Sequence, residues 1–559
     1  MKAPARYALS LLLYSLLSVA WSWPLAQDPT GVVVSGFDTW GSIWLAGISD
    51  ALPLRGVTEL GGWPLGQDLG RADSMVFLLL LRLWPGQPDP VGAVSAVVLL
   101  GPPITALAGQ HCAEGVGARF PWSLVAGLSM GFLGIASATF VDGQTYALLN
   151  PWLPLLALYG WKATGPQGTW QQGALAGLFW FLCLLTTAYV GIAATLMVAL
   201  GLLRRGPVWA KVSSAAVALP LGVAYILAFS GGGDDGGMRN QASPFAGISP
   251  TRVLEEGSTQ LSTLAGWVPQ IEAQPHGVVA PLGMVLLALL AVAPLVLRPR
   301  GDWLQWAVLG LLGVALSLGP TLRMDPSLNS GMPWLMAPLA RTEVVQLYRF
   351  PARMLWLSSV GIGVVASLVL TRLSTHVHPG WLAPLCIAPF GEAILLTGNA
   401  WRTAPVPARP PSAYEHAPPG PVLDLFPAVA GPPVDYELTL VDLTCAWAGH
   451  HGRPLTTLCL ETTPDVDPRA RLSASIHDRA LRGEDPEQLR KMLSELGIAA
   501  VIWRPDAYPP NERAALEASL SGAFGETAYE SWDAGEHLLV YAIPSADADP
   551  REAWTRWMP

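Results

Sequence analysis

The chain has 559 residues, a net charge of −9 and only 13% charged residues, against about 25% in ordinary globular chains. With a mean hydropathy of +0.39 and repeated long apolar runs, this excludes a soluble globular protein and points to a polytopic membrane protein. Residues 402–559 hold 13 basic and 23 acidic side chains, a balance of −10, and the remaining 19 and 18 leave residues 1–401 at +1. Neither part has the basic surface of a nucleic-acid binder.

The first element is an apolar stretch, Tyr7–Trp23, behind Lys2 and Arg6. No small-x-small cleavage site precedes Trp21-Ser22-Trp23-Pro24, so it reads as an anchor with interfacial aromatics. Basic residues at its start place the N-terminus inside and the following loop, 24–89, outside. Gly36-Phe37-Asp38-Thr39-Trp40 opens that loop. Asp38 reads either as a solvated acid or as a general base for an acceptor hydroxyl. Asp68 is a second, weaker acid of the same loop, and Asp73 is a candidate cap for the helix that starts at Ser74. Ser74–Trp84 is too short to span and contains Arg82, which predicts an interfacial or re-entrant helix.

Further spans are expected near 90–112, 121–140, 145–161, 208–229, 278–297, 303–320, 354–371 and 381–397. Between them, 174–203 is interrupted by Thr186-Thr187-Ala188-Tyr189 and is expected as a hairpin of two short helices. That makes eleven spans. Arg119, Lys162, Arg204, Arg205, Lys211, Arg298, Arg300 and Arg372 then fall in short inside loops, as the positive-inside rule requires. The C-terminal part follows outside, and the long segments 24–89, 230–277 and 321–353 share that side.

Asp142-Gly143-Gln144 faces the same outer side. Gln144 is a candidate substrate contact, and Asn150-Pro151-Trp152 marks a kink or a cavity. Tyr348-Arg349-Phe350-Pro351-Ala352-Arg353 places two arginines at the outer surface, against the charge trend. They either snorkel to headgroups or clamp a phosphate through bidentate hydrogen bonds. Glu392 lies inside the last span, where a carboxylate is costly and usually faces a bundle cavity.

Residues 402–420 form a Pro-rich linker, extended and semi-rigid. Beyond it, 421–559 reads as a small α/β domain, with strands at Val422–Phe426, Ala499–Trp503 and Leu538–Ile543. Helices are expected at Pro486–Leu496 and Glu512–Leu520. No metal-ligand spacing, Gly-rich phosphate loop or Gly-x-Ser-x-Gly elbow occurs there. Cys445 and Cys459 share this domain, and outside the cytoplasm they are expected close enough to bridge. Cys112, Cys183 and Cys386 are packing residues.

Several stretches together resemble the C-type glycosyltransferase (GT-C) superfamily, in its bacterial multi-span members with a C-terminal periplasmic domain. They are FDTWGSIWL after the first span, DGQTYALLNPWLPLLALYGW, TTAYVGIA, LYRFPARMLWLSSVGIGVVASLVL and GEAILL. In the C-terminal part, HHGRPL (450–455), LSELGIAAVIW (493–503) and FGE (524–526) are similar to the extracytoplasmic domain of that family.

The resemblance implies a GT-C-like α-helical membrane domain, 1–401, in the bacterial inner membrane. It also implies transfer of a sugar from a polyprenyl-phosphate donor to an acceptor at the periplasmic face. Asp38 occupies the position of the first-loop catalytic acid. Many members carry two adjacent acids there, whereas Thr39 follows Asp38 here. A divalent metal cofactor therefore stays open without a paired-acid motif behind it. The expected partners are a lipid-linked sugar and membrane lipids, with the acceptor undefined. A multi-span transporter lined by Glu392, or a non-catalytic envelope assembly protein, are the alternative functions.

Overall fold

The computed structural model describes residues 3–33, 39–47, 57–58, 67–68, 75–83, 89–141, 144–204, 206–230, 258, 264, 282–297, 301–325, 328–338, 351–397, 406–407, 409–425, 444, 447–448, 450–451, 453–456, 475–476, 478–479, 481–533 and 536–557.

Helix α1 (Ala3–Trp21) buries Ser10, Tyr14, Ser18 and Trp21 and leaves Leu9, Leu12 and Leu16 exposed. The polar stripe faces protein and the leucines face outward, the pattern of a helix whose solvent is lipid. Its N-terminal end is tied down by Glu114. That carboxylate accepts from Arg6 at 2.8 Å, Tyr7 at 3.0 Å, Gln110 at 3.0 Å and Ser123 at 3.0 Å. A short helix α2 (Trp23–Gln27) and a two-residue strand β1 (Val32–Val33) follow. Then come α3 (Thr39–Gly47), the antiparallel pair β2 (Val57–Thr58) and β3 (Gln67–Asp68), and α4 (Met75–Arg82). On α4, Val76, Phe77 and Leu81 are buried while Leu79 and Leu80 are exposed. This two-sided pattern suits the interfacial helix that the sequence predicts.

Helix α5 (Pro90–Val116) starts where Asp89 accepts the Gly92 N–H at 2.7 Å, with Pro90 in the first turn. It stops at Gly117, whose φ of +119° needs a residue without Cβ. Pro102 and Pro103 lie inside it. A proline frees the carbonyl four residues earlier, here those of Val98 and Leu99. Ser18 Oγ of α1 donates to both, at 3.4 and 2.8 Å. The break in α5 is therefore satisfied by its neighbour rather than by water.

The run expected as one span over 121–140 is two pieces, α6 (Leu124–Gly131) and α7 (Ile135–Val141). The chain turns between them at Gly134, φ +53°. The next expected span is also divided, into a 3-10 turn Thr145–Leu148 and α8 (Trp152–Ala163).

Helix α9 (Trp170–Thr186) opens on a reciprocal cap between Thr169 and Gln172. Thr187 is extended; it closes α9 and caps α10 (Ala188–Leu202) by accepting the Val190 N–H at 3.1 Å. Trp180 Nε1 donates to Thr195 Oγ1 at 3.0 Å. Partners at nearly equal distances either side of Thr187 mean that α10 folds back on α9, the hairpin expected from Thr186–Tyr189. Helix α11 (Val208–Ser230) packs along α9.

The remaining apolar helices among the described residues are α12 (Met284–Val296), α13 (Trp303–Ser317), α14 (Leu355–Leu373) and α15 (Pro379–Thr397). A hairpin of β4 (Thr321–Asp325) and β5 (Leu328–Pro333) separates α13 from α14. Helices α13 and α14 touch backbone to backbone. A Cβ on Gly361 would stand 2.4 Å from the Gly310 nitrogen, and Ser358 Oγ donates to Gly310 O at 3.0 Å. Small residues at such a crossing are what brings helices together in lipid. Among the described residues, three helical stretches are long and apolar enough to cross a membrane alone: Ala3–Trp21, Pro90–Val116 and Pro351–Leu373. Most of the other apolar helices are shorter.

After β6 (Val406–Pro407) and α16 (Ser412–His416), a mixed sheet forms from β7 (Val422–Leu425), β8 (Ala500–Trp503), β9 (Tyr529–Asp533) and β10 (Glu536–Ala542). Its order is β7-β8-β10-β9, with β7 and β8 parallel and the rest antiparallel. Alternation along the strands divides the core. Leu423, Val501, Trp503, Leu539 and Tyr541 pack with α17 (Pro486–Glu495), α18 (Pro510–Phe524) and α19 (Pro550–Trp557). Val422, Ala500, Ile502, Leu538 and Val540 belong to a different cluster, which includes Tyr414, Trp447, Ile43, Trp44, Phe77 and Val91. The second face of the sheet is thus part of the same apolar core as residues of α3, α4 and the start of α5.

Candidate functional site

Asp38 and Arg349 lie outside the described residues, and so do Cys445 and Cys459. Thr39, next to Asp38, begins α3 and is buried; Ile43 and Trp44 on the same helix are fully buried. A small cavity opens at this helix start, lined by Val33, Thr39, Ser95, Phe140 and Thr145 among others. Ser95 Oγ is buried there without a hydrogen-bond partner.

Thr145 brings the segment after α7 to the same cavity. Gln144, directly before it, is buried, and its backbone joins Thr139 and Ala147 by hydrogen bonds of 3.0 Å each. Helix α5 holds this turn in place: Thr105 Oγ1 donates to Leu148 O at 2.8 Å and accepts from the Asn150 N–H at 2.9 Å. The Asn150 side chain is fully buried, and neither end of its amide has a partner. Buried amides are nearly always paired, so these atoms mark a polar spot in the wall. The sequence neighbours of Asp38 and Gln144 therefore meet at one place.

Arg353 sits in the 3-10 turn Pro351–Met354 that leads into α14. Its guanidinium carbon lies 4.1 Å from the centroid of the Tyr189 ring. Tyr189 is buried in the first turn of α10, just after Thr187. The aromatic of the Thr186–Tyr189 break is thus the support of the arginine. The chain pattern gives each residue separately and not the pairing, because more than a hundred residues separate them.

Two other candidates have different described contacts. Asp68 lies on β3, paired with Val57. Glu392 Oε2 accepts the Val285 N–H at 3.2 Å, so its described contact caps the start of α12. It lines neither the Thr39–Thr145 cavity nor, among the described contacts, the Arg353–Tyr189 pair. No group of three or more potential metal ligands occurs among the described residues.

In the C-terminal part, Tyr414 OH donates to Asp424 Oδ1 at 2.6 Å and Arg504 Nη1 reaches the same oxygen at 3.1 Å. All three residues are buried. Arg504 also lies over Trp447, at 5.5 Å, and the His451 ring stacks on Tyr414 at 4.9 Å and 11°. Burial, then the charge of Arg453, holds the His451 imidazole down to about 3, so it is neutral at neutral pH. Its Nδ1 accepts the Arg453 N–H at 3.1 Å, which places its proton on Nε2.

No family model matches the sequence, and no curated protein matches it significantly. Solved structures do match the fold. The cryo-EM structure of arabinofuranosyltransferase AftD from Mycobacteria superposes with a TM-score of 0.56 at 16% identity, covering 98% of this chain and 40% of that one. A mutant of the same enzyme, in its class 2 structure, gives 0.56 at 16% identity over 98% and 42%. Its class 1 structure gives 0.52 with the same identity and coverage. The chain has the fold of this membrane glycosyltransferase over almost its whole length, and spans about two fifths of it.

Proposed function

We propose that the protein is a GT-C-type membrane glycosyltransferase, which moves a sugar from a polyprenyl-phosphate donor to an acceptor at the outer face of the bacterial inner membrane. The observation that carries this reading is the AftD-like fold over 98% of the chain. The Arg353–Tyr189 stack at the entry to α14 supports it.

In this mechanism the acceptor hydroxyl oxygen attacks the anomeric carbon while the bond from that carbon to the phosphate oxygen breaks. Asp38 takes the hydroxyl proton. The electron pair leaves with the polyprenyl phosphate, whose charge Arg349 and Arg353 stabilise. In-line displacement inverts the anomeric centre. On this reading Gln144, next to the cavity-lining Thr145, is a substrate contact, whereas the described contacts of Asp68 and Glu392 supply no such place. A base and a phosphate clamp must flank one carbon for this to work.

The test uses the purified protein in nanodiscs with a panel of synthetic polyprenyl-phosphate sugars. Asp38→Asn should abolish transfer while leaving donor binding largely intact. Wild-type turnover by Asp38→Asn, or unchanged donor binding in Arg349→Ala and Arg353→Ala, would refute the assigned site.

A further inference from the structure

The turns that follow α8 and α10 carry cations that the site above does not use. Helix α8 ends at Ala163 and α10 at Leu202, and the last carbonyls of a helix lack helical partners. Arg204 Nη1, from the turn after α10, donates to Trp161 O at 2.7 Å and to Thr164 Oγ1 at 3.3 Å. Its guanidinium carbon lies 5.6 Å from the centroid of the Trp161 ring. Lys211 Nζ, from the first turn of α11, donates to Leu202 O at 2.9 Å and to Arg204 O at 2.7 Å. The two turns also meet through their backbones, since a Cβ on Gly206 would run into the Thr164 carbonyl. Arg204 and Lys211 therefore stand in fixed places, side by side.

The carbonyls occupy N–H groups but do not neutralise charge. An ammonium has three donors and a guanidinium five, so Lys211 keeps one and Arg204 keeps Nε and Nη2. Among the described residues, the carboxylate that reaches Arg204 is Asp302, with Nη2 to Oδ1 4.0 Å. That is too long for a hydrogen bond, and Asp302 is 60% exposed, where water screens the pair. Lys211 has no carboxylate partner among the described residues. Beside the cations the surface is apolar: Leu203, Val208 and Trp209 are all exposed. A site for a soluble anion has no use for such a rim. Fixed cations beside exposed apolar side chains, at the ends of apolar helices, match a lipid whose head group is anionic and whose chains lie along the protein.

We propose that Arg204 and Lys211 form a binding site for the phosphate of an anionic phospholipid. The site is separate from Arg353. Tyr189, which supports Arg353, lies in the first turn of α10, and Arg204 follows its last turn. Fifteen residues of chain, roughly 20 Å of helix, separate them. The lipid site goes beyond the transfer reaction and holds whether or not the protein is an enzyme.

The experiment uses the full chain in nanodiscs of phosphatidylcholine, with a small share of phosphatidylglycerol that carries a photoreactive group near its head group. Illumination should label peptides covering 199–213. Unlabelled phosphatidylglycerol should compete, and inorganic phosphate should not. Arg204→Gln with Lys211→Gln should lower this labelling by roughly tenfold or more, about fivefold for each basic residue removed. Arg119→Gln with Arg372→Gln removes the same charge at two exposed positions and should leave the labelling near wild type. Because Arg204 and Lys211 also cap helices, Arg204→Lys is included; it keeps the charge and should retain most of the labelling. The wild-type map needs no substitution at all. Labelling spread evenly over the ends of other helices, or an equal loss in the two double variants, would leave only diffuse attraction and overturn the site. Competition by inorganic phosphate would make it a soluble-anion site, and undiminished labelling of the Arg204/Lys211 double variant would remove these residues from it; either result overturns the proposal.

Discussion

The guanidinium of Arg353 rests on the ring of Tyr189, 4.1 Å from its centroid, so an arginine before α14 is fixed by the broken α9–α10 hairpin. A cation over an aromatic face gains about 0.5–2 kcal/mol. On the phosphate-clamp reading, Tyr189→Ala should weaken binding of a polyprenyl-phosphate sugar by roughly 2- to 30-fold, and Tyr189→Phe should leave it near wild type. Arg353→Ala should cost more, about 1.5–3 kcal/mol or roughly 10- to 150-fold, because charge-assisted hydrogen bonds to phosphate are lost as well. Arg353→Lys should rescue in part, since an ammonium lacks the planar fork. Competition binding with a labelled donor checks the series; equal affinities for Tyr189→Ala and Tyr189→Phe would sever the stack from donor binding.

A second prediction concerns the buried pair of the C-terminal sheet. Arg504→Leu leaves Asp424, fully buried, without its nearest cation. Such a loss costs about 3–5 kcal/mol. Replacing both, as Asp424→Leu with Arg504→Leu, should restore much of the stability, because the buried carboxylate is removed with its guanidinium. Denaturant or thermal unfolding followed on the C-terminal domain reads this. A double variant as unstable as Arg504→Leu would mean that Tyr414 and Trp447, not the charges, set the cost.

Local signals were legible in the sequence. The Thr186–Tyr189 interruption predicts the hairpin that Thr187 caps, and strands β7, β8 and β10 and helices α17 and α18 lie where period and composition place them. Hydropathy measures how apolar a run is, not whether its hydrogen bonds continue. It therefore joins α6 to α7 across Gly134 and the 3-10 turn to α8. Strand β9, Tyr529–Asp533, is an edge strand with acids and an exposed Trp532, so it lacks the apolar alternation that marks buried strands. The β1–β6 pairing and the Arg353–Tyr189 stack are long-range and two or fewer residues wide, and no local pattern encodes them. Of the expected site, Gln144 and Arg353 have described surroundings, Glu392 has a described capping contact, and Asp38 and Arg349 lie outside the described residues.

A third prediction fixes orientation. The positive-inside rule predicts residues 402–559 outside and the turn after α14 inside. Ser545 is exposed in the C-terminal part and Thr375 is exposed just past α14. In spheroplasts, Ser545→Cys should react with a membrane-impermeant maleimide and Thr375→Cys should react only after permeabilisation. The reverse pattern would invert the topology, and with it the side on which any transfer takes place.

The last prediction follows from His451. Its folded value is about 3, against 6.5 for a free imidazole, because the ring is buried against Tyr414 and lies near Arg453 and His450. Burial lowers His450 as well, against the opposing charge of Asp89. A depressed folded value means that the unfolded segment binds more protons than the folded one between about pH 3 and 6.5. Stability is then fully present above about pH 6.5 and is lost as pH falls through that window, by at most about 1.4 kcal/mol per pH unit for one group. The segment around HHGRPL should open first, since protonation of His451 adds an unpaired charge beneath Tyr414. Hydrogen exchange of peptides covering 447–456 in the intact protein, taken from pH 7.5 to 4.5 and corrected for intrinsic rates, should show protection falling with acid by up to about tenfold per unit. His451→Gln should flatten most of that slope while the smaller contribution of His450 persists. Protection that stays constant or rises on acidification would mean that the imidazole is not held neutral, and that the stack on Tyr414 tolerates the charge.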